Sequence, residues 1–401
     1  MPKPPAKKRD APEAAAAPAA KKKPKAAKVE KLKFIVRADT PRVGGGQLKV
    51  ISVNVAGLRS VLSQDAKLDA LRTVVEKEQP DVLCVQEHKL QEAHVAEATK
   101  SMAELLPGYT QHWTCSTEKK GYSGVATFVK GASGGKSAEV AKKKAVILDD
   151  FFKKQPAKSG AAAAAGGGAA ASAGAGPVVI GEVVPGMGAA NQSDKIASNE
   201  GRLLTLELEH LYVVNAYVPN SGQKLERLAY RTKSWDAAFH AYLAGLEARK
   251  PVLLIGDLNV AYGVRDIHNV YVRPEFPDDL AAKPHGEQFV GLKSLLVQPG
   301  CTPDERDSFR DVILREGQPG ARVDGLRYFH PTAEGVFTYW SQRAGNRPVN
   351  KGLRLDYTVV SASLVSEDGG GPKLLDSFVL DDVEQYPAFS DHAPMGALFS
   401  L

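Results

Sequence analysis

The amino-acid sequence predicts an α/β fold built on two packed, mostly antiparallel central sheets with helices outside. Two observations predict it. From Leu48 onward, short apolar runs of strand type recur. Segments with helical spacing separate only some of these runs, while others follow one another directly, as hairpins do. The composition, 43% hydrophobic and 24% charged, is that of an ordinary globular chain.

The strand-type runs are LKVISV (48–53), DVLCV (81–85), GVATFV (124–129), LLTLEL (203–208), LYVVNAYV (211–218), VLLIG (252–256), DYTVV (356–360) and PMGALFSL (394–401). KLDALRTVVEKE (67–78) and YRTKSWDAAFHAYLAGLEAR (230–249) carry apolar residues at helical spacing. Residues 1–46 are rich in Lys, Ala and Pro and lack an amphipathic period, so a disordered basic tail is expected. Residues 47–401 are expected to form a single catalytic domain. Within it, residues 131–199, with the run GAAAAAGGGAAASAGAG (160–176), read as a low-complexity Ala/Gly/Lys insertion. No internal repeat is visible.

The net charge of +6 is unevenly distributed. Residues 1–37 hold 12 Lys and Arg against 3 Asp and Glu, whereas the remainder holds 40 against 43. Lys7-Lys8-Arg9 and Lys21-Lys22-Lys23-Pro24-Lys25 resemble a bipartite nuclear import signal; the alternatives are a solvated tail that adds DNA affinity, or delivery to a mitochondrion or other DNA-containing organelle. A slightly acidic body suits a nucleic-acid binder when some carboxylates hold a cation. The three cysteines, Cys84, Cys115 and Cys301, are widely spaced, which argues against disulfides and structural zinc. No apolar run reaches the length of a membrane span and no apolar leader follows Met1, so neither a membrane nor a signal peptide is expected.

Polar residues gather where the strands end. Asn54 follows the first strand and Gln86-Glu87 the second. Tyr217 and Asn220 close YVPN, Asp257 and Asn259 sit in GDLN, Asp356 opens DYTVV, and Ser390-Asp391-His392 precedes the last strand. One such residue is usually a turn former. Six strand ends with carboxylates, amides, a tyrosine and a histidine suggest one working edge. The inventory suits phosphodiester hydrolysis: Glu87 and Asp391 are hard oxygen ligands for Mg²⁺, with Mn²⁺ as a substitute. Asp257 is the natural base for an attacking water held by Asn259, with a Tyr217 phenolate or His392 as alternatives. A cationic His392, oriented by Asp356, would stabilise the transition state together with Asn220 and Tyr217. No P-loop, GxGxxG fingerprint or HExxH occurs.

Read in order, LKVISVNVAGLRS (48–60), PDVLCVQEHK (80–89), GYSGVA (121–126), NAYVPNSG (215–222), YRTKSWD (230–236), GDLNVA (256–261), TPDER (302–306), FTYWSQR (337–343), NKGLRLDY (350–357) and SDHAP (390–394) resemble the exonuclease III-like apurinic/apyrimidinic endonucleases of the endonuclease/exonuclease/phosphatase superfamily. The resemblance implies a four-layer α/β sandwich with its site at one edge. It implies Glu87 as a principal metal ligand, with Asn54 and Asp391 nearby and Asp257 and Asn259 sharing the site. It also implies Tyr217, Asn220, Asp257, Asn259, Asp356 and His392 as catalytic or phosphate-contacting groups. The implied substrate is double-stranded DNA with abasic sites, cut 5′ to the lesion, with 3′-phosphodiesterase or 3′→5′ exonuclease activity beside it. Arg59, Tyr122 and Arg227 match DNA-backbone contacts, and Tyr339, Trp340, Leu353 and Leu355 match the pocket for the extruded sugar; Trp340 equally reads as a core residue. A monomer is expected, with other base excision repair proteins as candidate partners. The chain departs from many relatives at Ala56, Gln223, Arg343 and Leu353, which puts metal affinity, product retention and pocket selectivity in question. A less selective nuclease or small-phosphate phosphatase of the same superfamily, and an inactive DNA-binding adaptor, are the competing readings.

Overall fold

The computed structural model describes Met1 and residues 46–131, 181, 183–187, 199–271, 283–288, 292–367 and 371–401. The two basic clusters of the tail and the Ala/Gly run 160–176 lie outside the described residues.

One sheet contains β1 (Gln47–Asn54), β2 (Val82–Gln86), β3 (Tyr109–Thr114), β4 (Val125–Lys130), β11 (Lys373–Val379) and β12 (Met395–Ser400), in the order β11-β12-β1-β2-β4-β3. The other contains β5 (Val184–Pro185), β6 (Leu203–Glu207), β7 (Tyr212–Tyr217), β8 (Val252–Asp257), β9 (Arg322–Asp324) and β10 (Asp356–Ser361), in the order β5-β6-β7-β8-β10-β9. Each sheet has one parallel pair at its centre, β1/β2 and β7/β8, flanked by antiparallel neighbours. The two halves therefore repeat one topology although the sequence shows no repeat. Val184–Pro185 pairs with β6, so the second sheet reaches into the 131–199 segment.

Strand alternation builds the layers. In β1, Leu48 and Val50 face the second sheet, while Ile51 and Val53 face α1 (Leu58–Leu62), α2 (Asp65–Glu78) and α3 (Glu92–Leu105). In β8, Leu253 and Ile255 face the first sheet, while Val252 and Leu254 pack with Trp235, Phe239 and Leu243 of the helical stretch Leu228–Glu247. Helix, sheet, sheet and helix thus stack as four layers.

The layer between the sheets is graded. At one end Leu48, Val82, Leu206, Val360 and Phe399 make an apolar core. Further along the strands, Gln86 Nε2 donates to Asn215 Oδ1 (2.7 Å) and Ser52 Oγ (2.9 Å), and Asn215 Nδ2 donates to Ala126 O (2.9 Å) and Thr127 Oγ1 (3.0 Å). These buried amides join the two sheets and mark where the layer turns polar.

Asn215→Leu takes one of two acceptors from Gln86 Nε2 and a donor from each of Ala126 O and Thr127 Oγ1, so a loss of about 2–4 kcal/mol is expected, on a scale of about 1–3 for a buried group left unpaired. Gln86→Leu/Asn215→Leu removes both partners and is expected to lose less than the sum of the single variants in urea unfolding. Additive losses would show that the two amides are not coupled.

Candidate active site

The pairing of β8 with β10 sets Asp257 directly opposite Asp356. Alternation points both carboxylates into the inter-sheet layer, where each is 1% exposed. Like charges on facing strand positions repel, and burial adds to the cost. Burial and the neighbouring Asp356 push the Asp257 carboxyl up to about 7. His392 supplies the compensating charge: its Nδ1 lies 2.7 Å from Asp356 Oδ2 and its Nε2 lies 4.0 Å from Asp257 Oδ2. Burial works against the imidazolium, but Asp356 outweighs it and raises His392 to about 10.

Asn54, at the end of β1, reaches the same cluster from the other sheet. Its Nδ2 donates to Asp257 Oδ2 (2.9 Å) and to Glu87 Oε1 (3.0 Å), and its Oδ1 accepts from Ala56 N (2.9 Å). Glu87 follows β2 in a left-handed conformation, φ 51°, and Lys89 Nζ sits 2.6 Å from its Oε2. Burial pushes the Glu87 carboxyl up, yet Lys89, Asn54 and Tyr217 together hold it below its ordinary value. Tyr217 is buried beneath it, with the Arg202 guanidinium 4.6 Å from its ring centre. Burial and Glu87 push the Tyr217 phenol well above its ordinary value.

The GDLN turn locks Asn259 against Asp257. Gly256 is required because a Cβ there would stand 2.1 Å from Ala216 O of the parallel neighbour β7. Asn259 is left-handed, φ 50°. Its backbone N donates to Asp257 Oδ1 (2.9 Å), its Nδ2 to Val218 O (2.9 Å), and its Oδ1 accepts from Asn220 Nδ2 (3.0 Å). On the opposite side, Thr338 Oγ1 accepts from the backbone N of Leu355 (2.9 Å) and of Asp356 (3.0 Å). Arg354 fixes the same segment through Asp266 (2.8 Å) and Asp324 (2.6 Å). Ser390 Oγ donates to Asn54 O (2.6 Å) and accepts from His392 N (3.2 Å), which ties the SDH segment to β1.

The donors at this edge fit a hard divalent cation. Glu87, Asp257 and half-buried Asp391 are carboxylates, Asn54 and Asn259 are amides, and Asp356 Oδ1 is a buried carboxylate oxygen with no hydrogen-bond partner among the described residues. Asp257, Asp356 and His392 also bring ligand-type atoms within 4.8 Å of one another. Metal binding requires a neutral imidazole, however, and Asp356 holds His392 protonated. Glu87 and Asn54, joined by a hydrogen bond (3.0 Å), are further oxygen-bearing side chains on the other side of Asp257.

The expected DNA-facing residues divide. Arg59 is exposed on α1, with Nη2 2.9 Å from His94 Nδ1. Arg227 and Arg202 each donate to Tyr122 Oη (2.8 Å), and both guanidinium groups pair with Glu200, Arg202 at 2.6 Å and Arg227 at 3.2 Å. Tyr339 stacks obliquely on His392, with ring centres 5.0 Å apart. Tyr339 and Leu353 line a cavity of about 300 Å³ whose other walls include His268, Asn269, Gln298, Asn346 and Lys351. Trp340 and Leu355 are not in that lining. Trp340, 3% exposed, belongs to the core cluster of Leu326, Phe337 and Met395, with Nε1 on Asn350 Oδ1 (3.1 Å). Leu355 packs behind the cavity with Ala261, Ile267 and Cys301. Gln223 and Arg343 are exposed.

Lys89, Arg202, Arg231 and Thr338 were missed in the sequence although each touches a site residue or its backbone. Lys89, Arg231 and Thr338 lie inside QEHK, YRTKSWD and FTYWSQR, so the signal was present as blocks; Arg202 had only its position before an apolar strand. His88, despite its place in QEHK, is structural: it is fully buried, its Nδ1 accepts from Leu90 N (3.0 Å), and it packs under Gly124.

With this geometry in view, the relatives agree. Residues 51–392 match the model of the Endonuclease/Exonuclease/phosphatase family. The chain is 32% identical to a DNA-(apurinic or apyrimidinic site) endonuclease of Dictyostelium discoideum, over 90% of this chain and 73% of that protein. It is 29% identical to an exodeoxyribonuclease of Bacillus subtilis, over 88% of this chain and 100% of that one. The crystal structure of AP endonuclease LMAP from Leishmania major superposes with a TM-score of 0.62 at 29% identity, covering 89% of this chain and 88% of that one. The shared fold, the strand-end cluster and these matches establish that the chain belongs to the endonuclease/exonuclease/phosphatase family.

Proposed function

We propose that this chain is a DNA repair endonuclease that hydrolyses the phosphodiester bond 5′ to abasic sites in duplex DNA. The products are a 3′-hydroxyl and a 5′-deoxyribose phosphate, and 3′-phosphodiesterase and 3′→5′ exonuclease activities accompany the cut. The buried Asp257–His392–Asp356 arrangement beside Asn54 and Glu87 carries the reading, and the names of the Dictyostelium and Bacillus relatives select the substrate. Mg²⁺, with Mn²⁺ as a substitute, is the proposed metal, held by Glu87 with Asn54 and Asp391 and shared with Asp257 and Asn259. Bound there, it would polarise the phosphate and acidify water.

The residues divide the work. Asp257, raised to about 7, is placed to accept the proton of the attacking water, whose oxygen bonds to phosphorus as the bond to the 3′-oxygen breaks. The departing 3′-oxygen takes up a proton. Asn259 and Asn220, joined by a hydrogen bond, orient water and phosphate. His392, held cationic by Asp356, faces the negative charge that builds on the phosphoryl oxygens. The raised phenol of Tyr217 favours a hydrogen-bond donor over a phenolate base, and a protonated His392 has no free lone pair to accept a proton. Both points support Asp257 among the three candidates. Arg59, Tyr122 and Arg227 are proposed to grip the DNA backbone, and the Tyr339–Leu353 cavity to receive the sugar. The basic clusters of the tail support a nuclear destination, with a mitochondrion or other DNA-containing organelle as the alternative.

A labelled duplex bearing one tetrahydrofuran site is expected to be nicked with Mg²⁺, to survive in EDTA, and to be cut far faster than an intact duplex. Equal cutting of both duplexes would favour a less selective nuclease, and no cutting would favour an inactive DNA-binding adaptor.

Glu87→Ala is expected to shift the Mg²⁺ dependence to higher concentration, with partial recovery of rate there, because it deletes a hard oxygen ligand. An unchanged titration would remove Glu87 from the metal site.

Asp257→Asn keeps the side-chain shape without the proton acceptor, and a loss of ~10²–10⁴-fold in single-turnover rate is expected. His392→Asn removes the cation, for a loss of ~10²–10³-fold. Both variants should still bind abasic duplex, and the double variant should lose far less than the product of the single losses. Near-wild-type cleavage by either single variant would overturn the assigned mechanism.

A further inference from the structure

Arg231 touches none of the groups assigned to the reaction through their side chains, yet it holds the backbone that carries three of them. It opens the π-helical turn Arg231–Trp235, which interrupts the helical stretch between Leu228 and Glu247. Such a widening recurs at functional sites. The side chain is 2% exposed. Nη1 donates to Asn259 O (2.6 Å) and Pro219 O (3.3 Å), and Nη2 donates to Leu258 O (2.6 Å). One planar guanidinium therefore spans the turn after β7, which presents Asn220, and the turn after β8, which presents Asp257 and Asn259.

Charge alone does not account for this placement, although buried Glu305 and Asp236 both lie near enough to act on the guanidinium. The nearest carboxylate oxygen, Glu305 Oε1, is 3.9 Å from Nη1, longer than a charge-assisted hydrogen bond. Glu305 is engaged elsewhere: Oε2 accepts from Thr302 Oγ1 (2.7 Å), and Oε1 accepts from Ser221 Oγ. Arg231 Nε is buried with no hydrogen-bond partner among the described residues. Burying a guanidinium so incompletely paired is costly. What the burial achieves is the capture of three turn carbonyls that no strand ladder satisfies. One belongs to Asn259, whose left-handed conformation, φ 50°, persists only if its surroundings over-determine it. Ser221, through Glu305, anchors the first turn to the helix Pro303–Ser308, beside the same guanidinium.

We propose that Arg231 is a positioning residue for the cutting reaction: it clamps the 218–220 and 257–259 turns together so that Asn220, Asp257 and Asn259 meet at one point. The proposal rests on the reading of those three residues as catalytic. A misplacement of about 1 Å is enough to cost ~10²-fold in rate without loss of substrate affinity. Lysine reaches the same region but offers a point charge in place of a planar fork, so it should not bridge both turns.

The test uses the full chain, Mg²⁺ and the tetrahydrofuran duplex. Arg231→Met and Arg231→Lys are compared with Trp235→Phe, a packing change in the same buried turn. Folding is checked by circular dichroism and thermal melting, and rates are read well below the midpoint. Arg231→Met is expected to lose ~10²-fold in single-turnover rate, with the Kd for abasic duplex within about threefold of wild type. Arg231→Lys should recover little of that rate, and Trp235→Phe should cleave normally. Arg231→Met combined with Asn259→Ala should fall little below Asn259→Ala alone, since both act on one geometry. Cleavage by the wild type is the control for the catalytic reading itself. A folded Arg231→Met with wild-type rate, a loss matched by Trp235→Phe, or failure of both Arg231 variants to fold would overturn the positioning role.

Discussion

Two carboxylates forced together in a dry layer are the constraint on which the rest of the molecule turns. Asp257 and Asp356 face each other because β8 and β10 pair in that register, and side-chain alternation leaves neither an exit to solvent. The repulsion is offset only if a cation and hydrogen-bond donors arrive from elsewhere in the chain. His392 comes from the segment before β12, and Asn54 from the far sheet. The SDH segment is in turn pinned by Ser390 to the backbone of Asn54. The carboxylate pair therefore ties the two sheets together at this edge.

Topology explains why the cluster lies at one edge. Both central parallel pairs, β1/β2 and β7/β8, deliver their carboxyl ends to it, and the chain leaves each strand through a turn. Ligands in α/β sheets gather at such carboxyl ends. Between the sheets the side chains pass from Leu48, Val82 and Phe399, through the Gln86–Asn215 amides, to Asn54 and Asp257. The apolar end supplies stability, and the amides keep the sheets in register where burial alone would not.

The parts of this design legible in the sequence are those carried by period and by strand ends. The runs 48–53, 252–256 and 356–360 are buried on both faces and so read as continuous apolar strands. Their polar termini announced Asn54, Asp257 and Asp356. β3, YTQHWT, was invisible because it is an edge strand with half-exposed, largely polar residues. β11, KLLDSFV, is broken by a register shift between Leu374 and Asp376, which disrupts alternation. Neighbours in sequence also part company in space: in FTYWSQR, Tyr339 turns to His392 while Trp340 turns into the core. Arg231 escaped notice because its role is expressed through backbone carbonyls, which leave no trace in residue identity.

The charge balance of the edge ties the acidic body to the proposed chemistry. Among the described residues, Lys89 and His392 are the cations paired with Glu87, Asp257 and Asp356, and Arg347 lies near Asp391. One carboxyl relieves the excess by a raised affinity for protons, since Asp257 titrates near 7. A divalent cation on the Glu87 side would relieve the rest and draw Asp257 back toward its ionised form, the form a general base requires. Four of the nine non-glycine residues with positive φ among the described residues lie at this edge: Ala56, Glu87, Lys89 and Asn259, with φ between 50° and 54°. Strained turns survive where surrounding contacts hold them, and here those contacts come from the site itself. A site held in this way pays its reorganisation cost during folding, so its donors and carboxylates need little movement when the phosphate arrives.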